Sequence, residues 1–92
     1  MITSFACADT QVLFEGRRVV RFVNIETVAL RKLRYLHAAT SIDAMRVPPN
    51  NRLELLKGDR RGQYSIRVND HWRVCFRFAD GSASEVEIVD YH

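Results

Sequence analysis

The hydrophobic period of this chain changes once, across "VPPN" at residues 47–50, and that change limits what it can fold into. Before it, Ile25, Ala29, Leu33 and Leu36 recur at helical spacing, with Asn24 placed to cap and Glu26 in the first turn. The other face of that helix carries Arg31, Lys32 and Arg34. "ITSFAC" at 2–7 predicts a short strand, and Asp9 a cap for a brief helix ending near Gly16. Thr40 and Asp43 have capping-box spacing for one more short helix, and the prolines then end all helical possibility. From Arg52 onward the period is two. Leu53 and Leu55 alternate with Glu54 and Leu56; Tyr64, Ile66 and Val68 with Ser65 and Arg67; Trp72, Val74, Phe76 and Phe78 with Arg73, Cys75 and Arg77; Val86 and Ile88 with Glu85 and Glu87. Four strands, each with one wet face, follow the helices. The expected fold is α+β, with N-terminal helices packed on the apolar side of a small antiparallel sheet.

The "VNDHW" loop sets a register. A two-residue turn at Asn69 and Asp70 would put Arg73 inside the core beside Ile66. A three-residue loop over Asn69, Asp70 and His71 pairs Val68 with Trp72 instead and gathers the large apolar residues on one side. On the other side Arg67 then faces Arg73, a like-charge pair that destabilises by roughly 0.2–1 kcal/mol. Either the face awaits an anion, or Glu85 and Glu87 neutralise it; the pattern leaves both open.

At 92 residues the chain is expected to be one domain over 1–92, with one modest core. No apolar run approaches the roughly 20 residues of a membrane span. "MITSFACADT" lacks the features of a secretory signal, and Cys7 and Cys75 have neither metal-ligand nor redox spacing, so a cytoplasmic protein with two free thiols is expected. The formal charge is +3, and of 14 basic residues only Lys32 and Lys57 are lysines. Arginine's planar fork matches phosphate and stacks on flat rings, which moves the expectation modestly toward nucleic acid.

Read together, "LELLKGDRRGQYSIRVNDHWRVCFRF" and the closing "VEIVDYH" resemble the HigB toxins of the RelE/ParE toxin–antitoxin superfamily. The resemblance is strong over residues 40–92; the first 39 match in length and helix layout alone. It implies the same fold and a specific activity, ribosome-dependent cleavage of messenger RNA in the A site, neutralised by a HigA-like helix-turn-helix antitoxin. Carried across residue by residue, it places function on Lys57, Arg73, Asp90, Tyr91 and His92. One position departs from the pattern. Many HigB sequences have histidine three residues before the motif lysine; this chain has Glu54, as the related YoeB toxins do.

The chemistry explains the residue types. Metal-free RNA cleavage turns the ribose 2′-OH on its own 3′-phosphate, and needs a base, an acid and cations around the phosphorane. Lys57 and Arg73 supply cations, with Arg67 assisting, and Glu54 and His92 share the proton transfers. Arg60 and Arg61 in the glycine-flanked "GDRRG" loop can contact backbone phosphate, and Tyr91 can stack on a base. Tyr64 and Trp72 read as core, His37 as an imidazolium closing its helix, and His71 as a loop residue near ribosomal RNA. No metal or cofactor is expected. Two rival readings remain: a non-enzymatic ParE-like gyrase inhibitor, disfavoured by the lysine/arginine/histidine set, and a catalytically inactive antitoxin-binding relative, to which Glu54 lends some weight.

Overall fold

The computed structural model describes residues 1–90. Two helices, α1 (Ala8–Phe14) and α2 (Glu26–Ala38), precede strands β1 (Glu54–Leu55), β2 (Tyr64–Arg67), β3 (Trp72–Ala79) and β4 (Ser82–Asp90). The strands form one antiparallel sheet in the order β1-β2-β3-β4. Short 3-10 turns fill the connections at Val20–Phe22, Ile42–Arg46, Pro49–Asn51 and Gly58–Arg60.

The register follows from the three-residue loop. Val68 donates its N–H to the Trp72 carbonyl at 2.9 Å, Ile66 pairs with Val74, and Arg67 pairs with Arg73. Asn69 builds the turn, its Oδ1 accepting the N–H groups of His71 and Trp72 at 2.8 and 2.9 Å. Ile66, Val74, Phe76, Val86 and Ile88 therefore share the inner face, where they meet Phe22, Leu33 and Leu36 from the helical layer. All eight are buried, each contributing roughly 1.5–3 kcal/mol of burial free energy. Trp72 packs edge-on against Phe22 at 5.6 Å, and Tyr64 stacks on Phe76 at 6.1 Å, so both join the core as expected.

Several local expectations are corrected. The first six residues run parallel to β4 through two isolated bridges, Ile2 with Ala83 and Phe5 with Val86, rather than as a full strand. Cys7, not Asp9, precedes α1, and Asp9 in the first turn instead accepts from Arg21 Nε at 2.9 Å. Ile25 rather than Asn24 precedes α2, because the turns after Phe22 take up Val23 and Asn24. His37 lies in the last turn of α2 as expected, and its Nδ1 accepts the Ile2 N–H at 3.1 Å, tying the helix end to the N-terminal segment. Pro49 opens a 3-10 turn where no helical structure was expected. In β1 the chain kinks after two residues, so Leu55 is 59% exposed and Leu56 is buried, the reverse of the simple alternation. Lys32, placed with Arg31 and Arg34 on the helix face opposite the apolar one, is only 4% exposed. A bulge between Cys75 and Arg77 on the β3–β4 ladder puts Glu85 at φ 51 and resets which β4 residues face inward.

The outer edge of β4 is covered in relay. The N-terminal segment takes Ala83 and Val86, and α1 then takes Ile88, whose N–H donates to the buried Thr10 Oγ1 at 3.0 Å. Thr10→Val fills nearly the same space but strands that donor, and is expected to cost about 1–3 kcal/mol. Thr10→Ser should keep most of the stability. Urea unfolding midpoints check this; an unchanged midpoint for Thr10→Val would show that the bond holds nothing.

Candidate active site

The outer face of the sheet carries Ser65, Arg67, Arg73, Cys75, Arg77 and Glu87, but it is less wet than its sequence suggests. Ser65 and Cys75 are fully buried. The loop between β1 and β2 folds across them: Arg60 Nη1 donates to Glu87 Oε1 at 2.8 Å on β4 and to Gln63 Oε1 at 3.1 Å. Arg77, which pairs with Glu85 at 2.6 Å, reaches back to the Arg61 carbonyl at 3.4 Å. Gly62 allows the close approach, because a Cβ there would lie 2.7 Å from Arg77 Nη1, and its φ of 88 suits glycine.

Arg73 is the best-held side chain of this face, only 12% exposed. Its Nε donates to Ser65 Oγ at 2.8 Å and its Nη2 to the Arg52 carbonyl at 2.8 Å, while Glu54 Oε1 lies 3.4 Å from the same Nη2. Arg67 turns away to Asp70, an ion pair that holds the Asp70 carboxyl below its usual range. Among the described residues the opposed arginines each meet an acid, Arg67 with Asp70 and Arg73 with Glu54, while Glu85 and Glu87 pair with Arg77 and Arg60.

The other expected residues fall as follows. Glu54 is half-exposed on β1 beside Arg73. Lys57 is exposed two residues beyond β1, at the start of the Gly58–Arg60 turn. Arg61 is exposed on the same loop, whereas Arg60 is committed to Glu87. Asp90 closes β4, exposed and opposite Trp72. Tyr91 and His92 lie outside the described residues. A groove of about 890 Å³ between α2 and residues 44–50 contains none of these side chains, so that concavity is not where the charged groups converge.

A model of the HigB-like family, described as the RelE-like toxin of the type II toxin–antitoxin system HigB, matches residues 13–92. The chain belongs to the HigB-like toxin family. It is 35% identical over 94 residues to Endoribonuclease HigB of Proteus vulgaris, covering 100% of both chains. It is also 45% identical over 60 residues to Toxin HigB-1 of Vibrio cholerae, a match spanning 65% of this chain and 63% of that one. The fold is that of the YoeB–YefM complex's matching chain from Staphylococcus aureus, with a TM-score of 0.63 at 18% identity over 100% of this chain and 95% of that one. YafQ of E. coli gives 0.53 at 10% identity, over 98% and 91% of the two chains.

Within this HigB-like toxin, sequence reasoning missed Ser65 and the Arg52 carbonyl as partners of Arg73, and Arg60 as the partner of Glu87. The first was within reach, because the Val68–Trp72 register puts Ser65 opposite Cys75 and diagonal to Arg73. A backbone carbonyl leaves no such signal. Cys75 lies under this network, and burial pushes its thiol up. Burial acts on Cys7 too, but hydrogen bonds from Thr10 and Asp9 and the charge of Arg21 outweigh it and hold that thiol low. A thiol reagent at mildly alkaline pH should therefore modify Cys7 quickly and Cys75 only on unfolding. A raised folded pKa stabilises below the ordinary thiol value of about 8.5, and that contribution is lost as pH rises through the folded pKa. Cys75→Ala should flatten this alkaline loss, measured by urea unfolding across pH; equal slopes in both proteins would refute it.

Proposed function

We propose that this HigB-like toxin is a ribosome-dependent endoribonuclease that cuts messenger RNA in the A site. The observation that carries the reading is the convergence of Arg73, fixed by Ser65 and Arg52, with the exposed Glu54 carboxylate 3.4 Å away. A guanidinium oriented by Ser65 and the Arg52 carbonyl aims its charge at a site for developing anion. The relative named as an endoribonuclease, which aligns over the whole chain, supports the same chemistry.

In the proposed reaction the 2′-oxygen attacks its own 3′-phosphorus and Glu54 takes the hydroxyl proton. The bond from phosphorus to the 5′-oxygen breaks, His92 protonates that oxygen, and the products are a 2′,3′-cyclic phosphate and a 5′-hydroxyl. Arg73 and Lys57 stabilise the phosphorane. Arg61 and Arg67 contact flanking phosphate, with Arg60 shaping the loop through Glu87. Tyr91 stacks on a base, and Asp90 contributes to binding at the end of β4. The proposed partners are messenger RNA, the ribosome with its RNA, and a HigA-like helix-turn-helix antitoxin; the proposed setting is the cytoplasm. No helix among the described residues is long and apolar enough to cross a membrane.

Removing a general catalyst costs on the order of 10²–10⁴ in rate, so Glu54→Gln and His92→Gln should both fall in that range in single-turnover cleavage on programmed ribosomes. Glu54→His should retain activity, since relatives place histidine there. If Glu54→Gln cuts as fast as the parent, the base is His92 instead. Orientation alone is worth several powers of ten. A small domain that presents these charges on a sheet face leaves it to the ribosome, so free RNA should be cut only feebly. Efficient cutting of naked RNA at the same enzyme concentration would overturn ribosome dependence.

A further inference from the structure

Lys32 is buried among Ala29, Leu33 and Leu36 of α2, and the proposed reaction gives it no part. Its ammonium makes a single hydrogen bond among the described residues, to Asn51 Oδ1. Asn51 is itself fully buried, and its amide donates to the Met45 and Val47 carbonyls at 3.0 and 3.2 Å. Its backbone N–H reaches Pro48 O at 2.9 Å, and the N–H of Arg52 reaches Pro49 O at 3.2 Å. Every one of these bonds tightens the turn over residues 47–52. The turn delivers Arg52 at φ 48, in the left-handed region that residues other than glycine seldom occupy. In that conformation its carbonyl accepts from Arg73 Nη2.

We propose that Lys32 is a positioning residue for Arg73: with Asn51 it locks the 47–52 turn, so that the Arg52 carbonyl holds the guanidinium toward the outer face. The proposal rests on the reading of Arg73 as the cation that meets the scissile phosphate. Burying an ammonium against a neutral amide is costly, and an apolar side chain of similar length would fill the same space. The head group therefore serves something other than core packing, and what it touches is the turn. Burial, then the charges of Arg31 and Arg67, push the Lys32 amine down. The clamp tolerates this, because a neutral amine still donates to Asn51 Oδ1.

The test is Lys32→Met in the full chain. The substitution removes a costly buried ammonium but strands Asn51 Oδ1, so its melting temperature should fall by at most about a few degrees, and its Kd for programmed ribosomes should be unchanged. Single-turnover cleavage should fall on the order of 10–100-fold, the scale of a small misplacement of a reacting group. In an Arg73→Ala background the same substitution should cost nothing more, because the two act through one contact. The Nε–H resonance of Arg73, sharp and slowly exchanging in the parent, should broaden or exchange quickly in Lys32→Met. Parental cleavage, an equal loss in both backgrounds, or a loss confined to Kd would each overturn the proposal. Should the parent fail to cut ribosome-bound messenger at all, the enzymatic reading falls. The Nε–H resonance then decides the clamp alone: altered it stands, unaltered it does not.

Discussion

The pairing of Val68 with Trp72 across three loop residues is the constraint on which the rest of the molecule depends. A one-residue slip would keep Ile66 inside but turn Val74 outward and bring Arg73 into the core beside it. In the observed register the inner face is a continuous apolar surface, onto which α2 lays Ala29, Leu33 and Leu36. The same geometry brings two arginines together outside. Core and reactive face are thus two sides of one register.

Placing the arginines opposite each other creates a repulsion that the fold answers locally. Arg67 finds Asp70 in its own hairpin, and Arg73 finds Ser65, Glu54 and the carbonyl of Arg52. Each exposed pair on this face adds little stability by itself. Their larger effect is geometric. Arg60–Glu87 and Arg77–Glu85 tie the β1–β2 loop down over Ser65 and Cys75, so Lys57 and Arg61 stand at its rim rather than swinging free of the sheet.

The site is consequently built from three separate parts of the chain that meet only in the fold. The turn before β1 brings the Arg52 carbonyl, β1 brings Glu54, and the β2–β3 hairpin brings Ser65 and Arg73. Arg73 can be held rigidly because its neighbours come from strands and from a turn anchored to α2 through Asn51 and Lys32. Rigid presentation of one cation, with a carboxylate alongside, suits a reaction whose charge appears mainly in the transition state.

The amino-acid sequence alone determined the fold class, the change of period at "VPPN", the Val68–Trp72 register and the opposed arginines. Each is a short-range consequence of side-chain spacing and loop length. The resemblance to HigB toxins added the candidate positions, and the family match over residues 13–92 agrees with it. What pattern could not reach were partners distant in sequence or without side chains. Glu87 takes Arg60, and a backbone carbonyl at Arg52 aims the guanidinium. Lys32 was placed on the helix face opposite the apolar one, and its burial and its bond to Asn51, nineteen residues further along the chain, leave no local signal. Leu55 and Leu56 exchanged roles because β1 is too short to sustain an alternation. Spacing decides which face a residue takes; only the tertiary structure decided what covers that face, because coverage is set by elements the local pattern never sees.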